Sequence, residues 1–110
     1  MKKVINKQIW VRKIEEDYSI GLTNQGQDDF GSVTFVSLPK IGDLLKAGES
    51  FAEIEAEKAV TELVSPLSGK VVSINQEALS DASALDAKNE DFAWLVVLTD
   101  VEEKEFNELD

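Results

Sequence analysis

Lys58 is the residue whose type and setting point most directly to chemistry. Before it, Ala52, Ile54 and Ala56 alternate with Glu53, Glu55 and Glu57, and Glu62 lies beyond it. An apolar run from Val60 to Val64 begins two residues later. The pattern predicts two strands with Lys58 at the tip of the hairpin between them. The tip lacks the Asn-Gly or Asp-Gly of an ordinary two-residue turn. Something other than turn economy therefore selects Glu57-Lys58-Ala59. Ala56 and Ala59 leave the lysine stem unobstructed, so its primary amine is open to a modifying enzyme. An ordinary solvated lysine in an acidic strand pair fits the same pattern.

Other chemistry finds less support. Glu53, Glu55, Glu57 and Glu62 supply carboxylates for acid–base work, but nothing pairs a nucleophile with a base. The chain has no cysteine and no histidine. That excludes disulfides, thiolate or imidazole metal sites, and every triad that uses an imidazole base. Asp28 and Asp29, with Gln27, present oxygens to a hard cation, but a dedicated site needs about six. Gly69-Lys70 lacks the flanking residues of a phosphate loop. Trp10 and Trp94 read as core or edge aromatics. We expect no catalytic residue and no metal ligand.

The charge separates partner classes. Net charge is −11 over 110 residues. A phosphate backbone and an anionic membrane surface both repel such a chain, so neither nucleic acid nor membrane is an expected partner. Residues 1–50 hold seven acids and seven bases, and residues 51–110 hold 15 acids against four lysines. The excess negative charge therefore lies in the half that contains Lys58. It serves solubility, the choice of a basic partner, or both. No apolar stretch follows Met1-Lys2-Lys3 and no run reaches membrane-spanning length, so a cytoplasmic location is expected.

The elements that must position Lys58 are short. Ile9 to Val11 and Tyr18 to Leu22 read as strands joined by a polar turn over Arg12 to Asp17. Thr23 as N-cap and Gly31 beyond the C-terminus bracket a short helix. Ser32 to Leu38 alternates cleanly, which predicts a strand with Val33 and Phe35 inward. Lys70 to Ile74 and Phe92 to Leu98 read as further strands, with helical turns over Asn75 to Asn89. Asp100 with Glu103 has the spacing of a capping box, which predicts a last helix running to about Leu109. Gly31 to Ser37 resembles Gly69 to Asn75 at an offset of 38, and Phe51 to Glu55 resembles Phe92 to Val96 at an offset of 41. Two related halves predict a quasi-symmetric β sandwich or flattened barrel. Val33, Phe35, Ile54, Leu63, Val71, Ile74 and Leu95 are its expected core.

Taken together, these residues resemble a known family. Glu55-Ala56-Glu57-Lys58-Ala59 and Ser65-Pro66-Leu67-Ser68-Gly69-Lys70-Val71-Val72 look like a lipoyl-attachment hairpin and its following strand. Trp10-Val11-Arg12, Ile20-Gly21-Leu22-Thr23, Gln27-Asp28-Asp29-Phe30-Gly31, Phe35-Val36, Leu38-Pro39, Asn75 to Leu79 and Trp94-Leu95 resemble the glycine cleavage system H protein. Residues 1–110 are then one H-protein-like lipoyl domain. The implied fold is all-β dominated: a lipoyl/biotinyl-type flattened β-barrel sandwich of two quasi-symmetric halves, with short helices including one at the C-terminus. A biotinyl domain would flank its lysine with Met, but Lys58 has Glu57 and Ala59.

The resemblance implies lipoate in amide linkage to Lys58. It implies lipoate-protein ligase and dihydrolipoamide dehydrogenase as partners, with Glu55, Glu57 and Glu62 as partner-recognition residues. The stretch after the last strand is shorter than usual for H proteins, Ala93 replaces a usual glycine, and a common histidine before Trp10 is missing. These departures resemble short bacterial H-like proteins encoded beside a lipoate ligase, a sirtuin and a macrodomain protein. That likeness implies reversible ADP-ribosylation, with Asp28 and Asp29 as acceptors, in an oxidative-stress response. A conventional H protein shuttling the aminomethyl group, or a lipoyl domain of a 2-oxo acid dehydrogenase, is the alternative.

Overall fold

An alternating strand holds its place only when its apolar face meets a second layer, and this chain builds two such layers. The computed structural model describes residues 2–109. One antiparallel sheet holds β1 (Lys2–Ile5), β2 (Ile9–Ile14), β3 (Asp17–Leu22), β9 (Trp94–Thr99), β8 (Gly69–Ile74) and β5 (Leu44–Leu45), in that order. The other holds β4 (Val33–Ser37), β6 (Ser50–Ala56) and β7 (Val60–Val64). Buried Val11, Ile20, Ile54, Leu67, Val71, Leu95 and Leu98 lie in the core they enclose. Helices α1 (Asn24–Phe30), α2 (Gln76–Ser80) and α3 (Glu103–Asn107) and two 3-10 turns (Ala82–Asp86, Glu90–Phe92) close its ends.

The first strands run further than alternation indicates. β2 and β3 stay paired through Ile14 and Asp17, leaving only Glu15-Glu16 as the turn. Glu15 takes a positive φ of 56°, the cost of so tight a reversal. Helix α1 forms as bracketed. The Thr23 hydroxyl accepts the Gly26 N–H, and the Gly31 N–H donates to the Gln27 carbonyl. The helix at the other end differs from expectation. Asp100 adopts φ 57° and caps nothing, and α3 begins after Glu102 with no side-chain cap. Tertiary contacts hold it instead: Phe106 is buried against Tyr18, with ring centroids 4.9 Å apart.

The two related halves are real, and both carry the same irregularity. β4 pairs with β6 and β8 with β9, each antiparallel. The register shifts between Val33 and Phe35 in one pair and between Val71 and Ser73 in the other. These positions correspond at the offset of 38. A bulge sets two residues against one and reverses the inward phase beyond it. Val33 and Val36 are therefore buried, while Phe35 is 53 % exposed and leaves the expected core. Ile74 is half-buried, and the other five expected core residues are buried. The partner strand aligns differently from expectation. Val36 faces Ile54 and Ile74 faces Val96, an offset of 42 rather than 41. Buried Ala93 thus takes the place of Phe51, and Phe92 lies outside β9, in a 3-10 turn and exposed.

Candidate functional site

Lys58 stands where the β6–β7 hairpin reverses. The Ala56 N–H donates to the Ala59 carbonyl at 3.0 Å, so Glu57 and Lys58 form a two-residue tip. Backbone bonds fasten this tip to the segment after α1. The Glu57 N–H donates to Ser32 O and the Lys58 N–H to Phe30 O, both at 2.9 Å. The Lys58 side chain folds back along the same segment, and its Nζ donates to the Asp28 carbonyl at 2.8 Å. Lys58 therefore satisfies two of the carbonyls that end α1, with its amide and its ammonium. The side chain stays exposed.

Gly31 makes this approach possible. Its φ is +77°, and a Cβ there would lie 2.9 Å from Glu57 Oε1 and 3.3 Å from Lys58 Cγ. Helix α1 is itself fixed to the larger sheet and to the segment before β9. The Thr23 N–H donates to Gln8 O at 3.0 Å, and Gln27 Nε2 donates to the carbonyls of Leu85 and Ala87, both at 2.8 Å. An open groove of about 430 Å³ runs beside Lys58, between Asn24, Gln27, Asp28, Glu57, Asp86 and Lys88. Burial pushes the Asp86 carboxyl up, against the opposing bond it accepts from the Val33 N–H. Sequence alone gives no site role to Phe30, Gly31, Ser32 or Asp86, although Phe30 and Gly31 belong to the run that resembles the family. The local physical signal is the helix-ending glycine.

The two aspartates share an exposed helical turn but have different surroundings. Asp29 accepts from Gln8 Nε2 and Gln25 Nε2, each at 3.0 Å, and these bonds lower its pKa. Asp28 lines the groove beside Lys58 and accepts the Lys58 Nζ bond through its backbone carbonyl. Among the described residues, no three acidic side chains stand close enough to hold a metal ion. Among the same residues, no helix is long and apolar enough to cross a membrane.

The glutamates divide between tip and sheet. Glu57 sits at the tip. Glu55 lies between Phe35 and Val60 in the ladder, and Glu53 lies directly opposite Glu62. Like charges so placed repel across the ladder. Ser50 Oγ donates to Glu62 at 2.9 Å. The strands β4, β6 and β7 contain no lysine or arginine.

Comparison with known proteins gives one answer. Residues 2–110 match the family model described as glycine cleavage H-protein. A glycine cleavage system H protein from Oceanobacillus iheyensis is 38 % identical over 100 residues, covering 91 % of this chain and 79 % of the relative. One from Listeria welshimeri is 35 % identical over 100 residues, covering 91 % and 80 %. The crystal structure of such a protein from Mycobacterium marinum superposes with a TM-score of 0.78 at 26 % identity, over 89 % of this chain and 82 % of that one.

Proposed function

The chain belongs to the glycine cleavage H-protein family, and from that premise we propose that it is a lipoyl carrier whose arm is attached at Lys58. The observation that carries this reading is the fastened hairpin tip. A swinging arm needs a free amine at its root and a root that does not wander. Lys58 offers an exposed amine, and the backbone bonds to Phe30 O and Ser32 O fix its Cα. Lipoate would join Lys58 Nζ through an amide, and its dithiolane supplies the redox and group-carrying chemistry. The protein presents that group and leaves catalysis to its partners. The open groove beside the lysine leaves room for the arm to depart in more than one direction.

The relatives' description favours a conventional H protein that shuttles the aminomethyl group. The partners are then a lipoate-protein ligase, the other glycine cleavage enzymes, and a dihydrolipoamide dehydrogenase that reoxidises the arm. Acylation removes the Lys58 charge from beside Glu57 at the tip, in a sheet end whose other charged residues are Glu53, Glu55 and Glu62, so loaded and unloaded tips differ in potential. Co-expression with a lipoate ligase, followed by intact mass and peptide mapping, tests the reading. The mass of one lipoyl group should map to the Lys58 peptide, and Lys58→Arg should abolish it, because a guanidinium offers no primary amine. Undiminished lipoylation of that variant would assign the arm to another lysine.

A second reading rests on the Lys58 Nζ bond to the Asp28 carbonyl. A sirtuin-type transferase would move ADP-ribose from NAD to the Asp28 carboxylate, with nicotinamide leaving as the ester bond forms, and a macrodomain hydrolase would reverse it. An adduct there would crowd the root of the arm. Asp29, held by two glutamines, is the poorer acceptor. Incubation with such a transferase and labelled NAD should label the parent and not Asp28→Ala. Equal labelling would remove Asp28 as the acceptor.

A further inference from the structure

Among the described residues, no layer covers the outer face of the three-stranded sheet. Phe35, Glu55 and Val60 form one cross-strand row, and Ser37, Glu53 and Glu62 form the next. Phe35 is 53 % exposed, Val60 66 % and Val64 49 %. The position corresponding to Phe35 in the other half is Ser73, which is half-buried. The same bulge thus turns an aromatic ring outward in the Glu55–Val60 row, on the hairpin that ends in Lys58, and a small polar residue at the equivalent site. A large exposed ring costs free energy in water unless something covers it. The opposed Glu53 and Glu62 add a repulsion that a basic neighbour would relieve.

We propose that this face, with Phe35 and Val60 at its centre and Glu53, Glu55 and Glu62 around them, docks the enzyme that acylates Lys58 through a complementary surface, apolar at its centre and basic at its rim. The inference rests on Lys58 being the acylated lysine. The chain has ten lysines, and before acylation only the protein surface distinguishes one from another. Lys58 stands at the end of a sheet without a single base. Enzymes that act on the loaded arm can also grip the arm, whereas the acylating enzyme cannot. A second copy of this chain is the poorer occupant, since it would set acidic face against acidic face.

The test measures initial rates of lipoylation by a lipoate-protein ligase while the concentration of the unmodified protein is varied. Phe35→Ser and Val60→Thr should each raise KM about tenfold with kcat within about twofold of the parent, the size expected for a docking residue. Val72→Thr, on the other sheet, should match the parent. Added salt should raise the parent's KM, and less so for Glu53→Gln. If Phe35→Ser lowers the melting temperature, Val60→Thr decides. Unchanged KM in both variants, or a fall in kcat at constant KM, overturns the proposal. So does a dimer of the parent in sedimentation that Phe35→Ser dissolves, which would give the face to a second copy. Failure of the parent to be acylated at Lys58 would overturn the lipoyl reading itself, a distinct outcome.

Discussion

The β4–β6 pair and the β8–β9 pair share a backbone plan but not surroundings. Both are antiparallel, and both are bulged at the same position. β9 lies inside the larger sheet, between β3 and β8, and it is mostly buried. β6 lies between two edge strands, β4 and β7, and its outward residues are glutamates. One half therefore serves as scaffold, and the other presents the hairpin that carries Lys58. A duplicated plan acquires a presenting surface when one copy stays at the edge of the sandwich.

Several measurements would break or sharpen that contrast. Ile54→Ala in the presenting half and Leu95→Ala in the scaffold half should each cost roughly 2–5 kcal/mol, since both side chains are fully buried. Denaturant unfolding measures this, and a negligible loss for Ile54→Ala would mean that the presenting half has no shared core. Gly31→Ala comes next, at about 1–3 kcal/mol for strain at positive φ. It should also slow acylation of Lys58, because the new methyl displaces Glu57 and the lysine stem. An unaltered acylation rate would separate the hairpin from α1.

The smallest effects should differ in sign between the two sheets. Glu53→Gln removes one of two opposed charges and should stabilise by about 0.2–1 kcal/mol. Asp91→Asn should destabilise at neutral pH, because Asp91 pairs with Arg12 and Lys2 on the larger sheet. Arg12, and then Lys2, hold the Asp91 carboxyl below the usual carboxylate range. A depressed pKa contributes stability above the unfolded value, and that stability is lost as pH falls through the folded one. Thermal melts of parent and Asp91→Asn should therefore converge in acid. A constant gap down to low pH would show that this ion pair contributes nothing.

Much of the presenting half was legible in the residues. Thr23 and Gly31 bracket α1 because a hydroxyl cap and a left-handed glycine are local devices. Ala52, Ile54 and Ala56 against Glu53, Glu55 and Glu57 placed Lys58 at a tip because alternation is local as well. The capping box at Asp100 misled for a complementary reason: Phe106 docking on Tyr18 decides where α3 lies, not the cap.

By itself, the sequence determined the course of β2 to β4 and of β6 to β9, though not of β1 or β5; it also determined where the hairpin turns and that Lys58 follows a run of alternating acids. Tertiary structure alone decided that Phe35 faces outward, that Ile54 corresponds to Val96, and that Lys58 closes the end of α1. The reason is physical. Alternation belongs to a single strand, but a bulge is a mismatch between two strands. The carbonyls that receive Lys58 are backbone atoms, which every residue type has, so no side-chain pattern marks them.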